Sequence, residues 1–288
     1  MKIKKLIVAL AIISFVTVFI SCKKTTTSTD PTEIATTIEL SGDQAVSDNL
    51  TEDANDIFME AALDQNLVGS KVTSGNKPQS PTQTLGILGC ATVTVTPLVG
   101  FPKNMLIDFG TGCTSPKNIT RKGKIYVTLS DSVRKAGSVA TLRFDGYYVN
   151  GFKKEGLITW TNTSTANIKS WQRKVENGKI TTPAGKYWLH SGIKTVVQTE
   201  GYSTPRNLLD DVFSITGNHS VTNANGVTRT SVITEPLIKK TSCENISKGK
   251  IEMQGPAHTA VIDFGDGTCD KNATISIDGG TPVSFLLR

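Results

Sequence analysis

From residue 85 onward, apolar side chains recur at every second position. Val93 and Val95 alternate with threonines. The same period runs through Met105, Ile107 and Phe109, through Ile125, Val127 and Leu129, through Leu142 and Phe144, and through Val283, Phe285 and Leu287, with mostly polar residues between. Such alternation predicts strands with one buried and one wet face, the usual condition of antiparallel sheets. Turn chemistry agrees. Asn150-Gly151, Asn177-Gly178 and Asn225-Gly226 each stand between extended runs and supply the positive φ that a type I′ hairpin requires. Thr182-Pro183-Ala184-Gly185 adds a turn with Pro second and Gly fourth. No alternation of strand and helix patterns appears, which argues against the nucleotide-binding α/β folds. The expected fold is all-β: an antiparallel β-sandwich or open barrel of long hairpins with an approximate internal repeat, plus one N-terminal helix.

That helix is expected over residues 43–66. Val46, Leu50, Ala54, Ile57, Phe58, Ala61 and Ala62 recur there at helical spacing with acids between them. Packing against the main domain is expected, because lone helices of this length are marginal in water. Residues 22–42 are rich in Thr and Ser without apolar periodicity and read as a flexible tether. Residues 67–84 read as a Gly, Ser, Pro and Asn-rich linker, and 85–288 as a single β domain.

The repeat rests on a phrase used twice, Ile107-Asp108-Phe109-Gly110 and Ile262-Asp263-Phe264-Gly265, each followed by a cysteine and preceded by another. Cys90 and Cys113 bracket one copy, and Cys243 and Cys269 the other. Two loops of similar length, each crossing a hairpin, predict the disulfides Cys90–Cys113 and Cys243–Cys269. The fifth cysteine is accounted for at the N-terminus. Lys2, Lys4 and Lys5 precede an apolar stretch from Leu6 to Ile20, which reads as a signal peptide over residues 1–21. Phe19-Ile20-Ser21-Cys22 resembles the lipobox of bacterial lipoproteins, in which the cysteine is acylated and becomes the new N-terminus. One lipidated cysteine and two pairs make five, and export supplies the oxidising compartment in which disulfides persist.

The formal charge of +6 includes three lysines of the signal peptide. The remainder is unevenly divided: residues 23–66 carry −8 and residues 67–288 carry +11. An exported acidic arm ahead of a basic body points away from nucleic acid and towards anionic envelope material, or towards the arm itself. Trp171 and Trp188 stand among Lys169, Arg173, Lys174, Lys179 and Lys186. The candidate surface for an anionic glycan or lipid headgroup is therefore Trp171, Arg173, Lys174, Lys179, Lys186 and Trp188, around a hairpin turning at Asn177-Gly178. The competing expectation is that the acidic helix neutralises these cations.

The Ser-Cys signal, the paired brackets, the Tyr148-Val149-Asn150-Gly151 hairpin and the closing run from Ile262 to Thr274 together resemble a family of outer-membrane lipoproteins of Bacteroidota, over roughly residues 85–288. The resemblance implies a location and no activity. Lys23, where an acidic residue would signal inner-membrane retention, implies the outer membrane, and the lack of an acidic cluster favours a periplasm-facing orientation. No catalytic residue, metal site or cofactor is expected. Asp263, Asp266 and Asp270 are better explained as turn residues than as calcium ligands, and His190, His219 and His258 sit in no metal or nucleophile motif. The functional expectation is a lipid-anchored envelope protein with a non-catalytic binding or scaffolding role; the alternative is a glycan-acting hydrolase.

Overall fold

The computed structural model describes residues 31–69, 83–115 and 117–287. The expected signal peptide, Cys22 and most of the linker lie outside the described residues. Among the described residues are one helix, α1 (Pro31–Asp64), one 3-10 turn (Ile87–Cys90) and fourteen strands: β1 (Thr92–Thr96), β2 (Lys103–Asp108), β3 (Cys113–Thr114), β4 (Thr120–Leu129), β5 (Val139–Val149), β6 (Phe152–Asn162), β7 (Lys169–Thr181), β8 (Tyr187–Glu200), β9 (Val212–Asn223), β10 (Thr228–Lys240), β11 (Lys248–Gln254), β12 (Thr259–Asp266), β13 (Asn272–Ile277) and β14 (Val283–Leu286). They form one antiparallel meander in chain order, with β2 beside β4 and the two-residue β3 pairing with β4 off the main path. The path ends at β1 and β14 without closing. Among the described residues the fold is all-β and open, with one helix, which precedes the strands.

The sheet curls around α1. Every residue from Ser47 to Phe58 is buried, on all faces of the helix, so no polar stripe is left for solvent. This accounts for two departures from the sequence reading. The helix begins at Pro31, so residues 31–42 belong to it and not to a tether, and it is enclosed by the sheet instead of lying against one face. An enclosed helix has no reason to segregate apolar from polar residues. Its hydroxyls and amides are satisfied locally: Ser41 Oγ donates to Thr37 O (2.8 Å), Ser47 Oγ to Asp43 O (2.8 Å), Thr51 Oγ1 to Ser47 O (2.7 Å) and Asn49 Nδ2 to Ala45 O (2.9 Å). Others reach the sheet. Trp188 Nε1 donates to Ser47 Oγ (2.7 Å), Ser231 Oγ to Gln44 Oε1 (2.8 Å) and the Ile246 amide to Asn49 Oδ1 (2.8 Å).

Curvature comes from a row of glycines and bulges across the middle of the sheet, at Gly123, Gly146, Gly156, Gly178, Gly192, Gly217 and Gly249, with Pro236 at the corresponding bulge of β10. Two positions show why glycine is needed. A Cβ on Gly156 (φ 112°) would stand 2.7 Å from Asn177 O, and one on Gly217 (φ 130°) would stand 2.3 Å from Ile193 O. Bulges bend the strand that carries them, and glycine lets neighbouring backbones close in on the bend.

Asn150-Gly151 makes the expected two-residue hairpin, with φ of 47° and 83°. Asn225-Gly226 lies in a three-residue turn in which Gly226 takes the positive φ. Asn177-Gly178 is different. It is a bulge inside β7, and the chain reverses later, at Thr182–Gly185, where the Gly185 amide donates to Thr182 O (3.0 Å). The positive φ that Asn177 provides (51°) serves the bulge as well as it would have served a turn. Arg173 therefore pairs with Lys194, and Lys174 with Ile193, across β8 and not across a turn at Asn177-Gly178.

Gly42 is a mid-helix glycine with open space where a Cβ would project. Gly42→Ala should raise unfolding free energy by about 0.5–1 kcal/mol, from the backbone entropy glycine forfeits in a helix. Urea unfolding followed by circular dichroism measures it, and an unchanged or lowered midpoint contradicts a helical backbone with free space at that turn.

Candidate functional site

The strands around α1 place cations on the face that should be purely apolar. In β7 the inward set is Trp171, Arg173 and Val175; in β8 it is Trp188, His190, Lys194 and Val196; in β10 it includes Leu237 and Lys239. Arg121 of β4 and Lys154 of β6 also point inward. The helix answers with acids: α1 contains nine and no Lys or Arg. Asp53 takes Arg121 through two oxygens (2.5 and 3.1 Å) and also accepts from Tyr147 Oη (3.3 Å). Glu52 stands 2.5 Å from Arg173 Nη2, an ion contact out of line for a hydrogen bond. Asp48 pairs with Lys194, and Asp56 with Lys239 Nζ (2.9 Å), which also donates to Cys243 O (2.7 Å) and Lys240 O (3.0 Å). Nearer the helix start, Lys186 bridges Glu39 (2.9 Å) and Asp43 (2.8 Å), and Arg229 reaches Glu33 (3.5 Å).

Burial strains this ladder unevenly. Desolvation pushes the Asp56 carboxyl up to about 6 despite Lys239, and Asp43 up to about 6 despite Lys186. Lys154 comes down to about 7 through burial, with Arg173 adding to the effect; its Nζ donates to Thr51 Oγ1 (3.1 Å) and lies 5.5 Å from the centre of the Phe144 ring. Asp48 sits below its ordinary value: burial works to raise it, but the Lys194 ammonium beside it holds it down.

Two histidines belong to the same layer. His190 Nδ1 and His219 Nε2 are 3.2 Å apart, the rings stack at 5.3 Å, and His219 Nδ1 is 4.0 Å from Asp48 Oδ1. Gly178 and Gly192 leave the room these rings occupy, since a Cβ on either would fall 2.5–2.6 Å from an imidazole nitrogen. Burial lowers His219 to about 3 and His190 well below 6.5, so both are neutral at ordinary pH. His258 lies elsewhere, between Asp278 (2.6 Å) and Glu33 (3.5 Å).

The structure does not bring the six residues expected to bind an anionic ligand onto one surface. Trp171, Arg173 and Trp188 are buried facing the helix, and Lys186 is engaged by Glu39 and Asp43. Only Lys174 and Lys179 face outward. Lys174 pairs with Glu176 (2.8 Å), and Lys179 Nζ lies 4.4 Å from the Tyr187 ring centre, beside an open depression of about 490 Å³ lined by Glu155, Leu189, Ser191, Ser220 and Thr222. The physical reason is the period of two: Trp171 and Arg173 share a face, and Lys174 takes the other.

The repeated phrases are structural. Disulfides join Cys90 to Cys113 and Cys243 to Cys269, with Cα separations of 5.7 and 5.1 Å, and each closes a hairpin, β1–β2 or β11–β12. In both copies the phrase aspartate caps its own turn, Asp108 Oδ1 accepting from the Gly110 amide and Asp263 Oδ1 from Gly265 (2.8 Å each). Asp266 and Asp270 do likewise for Thr268 and Asn272. A second repeat accompanies the first. Lys122-Gly123-Lys124-Ile125 and Lys248-Gly249-Lys250-Ile251 lie beside the two phrase strands and place Lys124 3.6 Å from Asp108 and Lys250 3.8 Å from Asp263. Comparison with protein-family profiles, curated proteins and solved structures finds no match.

Removing one member of a buried pair leaves the other charged and unpaired, at a cost of roughly 3–5 kcal/mol. Arg121→Met should lose about that much in urea unfolding, and Arg121→Met combined with Asp53→Leu should recover most of it; equal losses in both would show the pair is not the cause. The histidines make a separate prediction. A lowered imidazole contributes stability that is complete above its unfolded value of 6.5 and is lost as pH falls towards about 3. Asp43 and Asp56, raised to about 6, act oppositely, their contribution being complete below the unfolded value of 3.8 and lost as pH rises through 6. The difference between wild type and His219→Asn cancels the carboxylates. It should fall by about 2 kcal/mol between pH 7 and pH 5; a difference flat with pH would show that His219 is not held neutral.

Proposed function

We propose that the chain is a lipid-anchored protein of the bacterial outer membrane, facing the periplasm, with a non-catalytic binding or scaffolding role towards anionic envelope material. The observation that carries this reading is the seat of α1. Only eight residues separate Cys22 from Pro31. The first described element after the proposed anchor is thus the axis of the whole domain, held along its length by ion pairs to β4, β7, β8 and β10. An anchor joined to the core through a span of at most about 30 Å keeps the body close to the bilayer and transmits load into it, as a scaffold requires. The two disulfides suit an exported protein.

The inner cations are neutralised by the helix, so an anionic partner meets the outer face and the rims. Residues 43–66 are not a removable arm, since they fill the core.

Metabolic labelling with an alkyne-bearing palmitate tests the anchor. The wild type should incorporate label and partition into the detergent phase of Triton X-114. Cys22→Ala should lose the label and move to the aqueous phase. Label retained by the variant would move the anchor from Cys22 to another residue, and a wild type that takes up no label and stays in the aqueous phase would end the anchored reading.

A further inference from the structure

The β1–β2, β4–β5, β6–β7 and β8–β9 connections gather at one rim of the meander. It is the rim that the C-terminal end of α1 reaches, where the Val133 amide donates to Leu67 O (2.9 Å). The start of α1 lies at the other rim, by Arg229 and His258. Large apolar side chains are exposed on the connections of the first rim: Leu98 and Val99, each 88% exposed, with Phe101, Ile168, Tyr202 and Leu209. Among these connections an apolar crevice runs inward between helix and sheet, walled by Phe58, Met59, Val133, Trp160, Trp171 and Phe213. As it stands it offers about 20 Å³, room for a water. Met59, only partly buried, is the flexible side chain whose movement would deepen it.

Two polar groups lack hydrogen-bond partners, one on the crevice wall and one on the residue that follows Val133. Trp160 Nε1 is buried without an acceptor, and the Arg134 guanidinium, next in sequence to Val133 and not itself part of the wall, has Nε and Nη2 buried without one. The opposite charge that acts on it, Asp211, forms no ion pair with it among the described residues and accepts from Gln198 Nε2 (2.7 Å). A guanidinium with two desolvated N–H groups facing no acceptor is a standing cost that an incoming anion would relieve. Apart from Asn55 and Ser138 the walls are aromatic and aliphatic, which suits a hydrocarbon and offers a sugar few polar partners. Apolar loop tips around the mouth suit a ligand that leaves a bilayer or micelle.

We propose that this crevice binds a single acyl chain with an anionic head group, its tail between Trp160, Trp171 and Phe213 and its head on the Arg134 guanidinium. The assignment deepens the binding half of the function proposed above and does not depend on the anchor.

The test uses the mature chain, residues 23–288, produced without lipid, and 11-bromoundecanoate below its micellar concentration. The chain-end bromine quenches tryptophan on contact. Quenching should be saturable and incomplete, because Trp188 lies elsewhere with its Nε1 on Ser47. Arg134→Gln should weaken bromoundecanoate about tenfold, the worth of a charge-assisted hydrogen bond, and leave uncharged 11-bromoundecanol unchanged. Ala140→Leu, which fills the crevice, should abolish quenching; if it fails to fold, Met59→Phe replaces it. Displacement by undecanoate alone assigns the ligand to free fatty acids, and displacement by lauroyl lysophosphatidate as well assigns it to anionic single-chain lipids generally. Non-saturable quenching, equal binding of dodecyltrimethylammonium, or displacement by neither anion overturns the proposal. Failure of palmitate labelling at Cys22 would leave this result untouched.

Discussion

The structure depends on charge pairs formed where neither member meets water. Asp48, Glu52, Asp53 and Asp56 stand within two and a half turns of one helix, and their partners come from β8, β7, β4 and β10. Removing such charges from water costs as much as their attraction returns, so the ladder adds little net stability over a well-packed apolar core. Its effect is on register. Sliding α1 by one residue moves each acid 1.5 Å and turns it by about 100°, which leaves charges unpaired on both elements at once. An apolar helix in an apolar trough would have no comparable penalty for the wrong position.

The sheet's curvature and the helix's polarity are two sides of one constraint. A meander this long must curl, split or flatten, and here the row of bulges and glycines curls it into a trough just wide enough for a helix. Inside the trough the strands carry like charges side by side: Arg173 of β7 is directly opposite Lys194 of β8. Such a pair is unfavourable on a sheet. Glu52 and Asp48 make it tolerable, so the inner face of the sheet is incomplete without α1. His190 and His219, held neutral beside Asp48 and Lys194, fill the same layer without adding charge.

Much of the strand framework was legible because its signals are local. Alternation located β1, β2, β4, β5 and β14, Asn150-Gly151 and Thr182–Gly185 located turns, and the bracket spacing located both disulfides. What was missed is non-local. Helix start at Pro31 was invisible because Thr37, Ser41 and Gln44 are buried against a polar inner face, which periodicity cannot anticipate. Asn177-Gly178 was misplaced because a bulge and a hairpin use the same positive φ. The candidate site was misread through clustering in sequence, which ignores faces. A better signal was available in Trp171-x-Arg173-x-Val175 and Leu237-x-Lys239, where a cation falls in phase with apolar neighbours and must have a buried acid to meet. The acids were in plain view in α1, and the repeated Lys-Gly-Lys-Ile beside each Asp-Phe-Gly phrase was equally readable.

The order of the chain gives the helix's composition a further reason. Glu33 waits for Arg229, 196 positions on, and Ser41 for Met253, 212 positions on, so α1 cannot reach its place until the late strands exist. Non-local contacts of this kind form slowly, and segments exposed meanwhile risk association. A strongly apolar first helix would be hazardous during that interval. One with nine acids and no bases repels its own copies and stays solvated. The same acids then find their complement only in the assembled sheet, where six inward cations, Arg121, Lys154, Arg173, Lys194, Arg229 and Lys239, lie in reach. The interaction that fixes the register is therefore also one that prevents the helix from settling anywhere before the trough has formed.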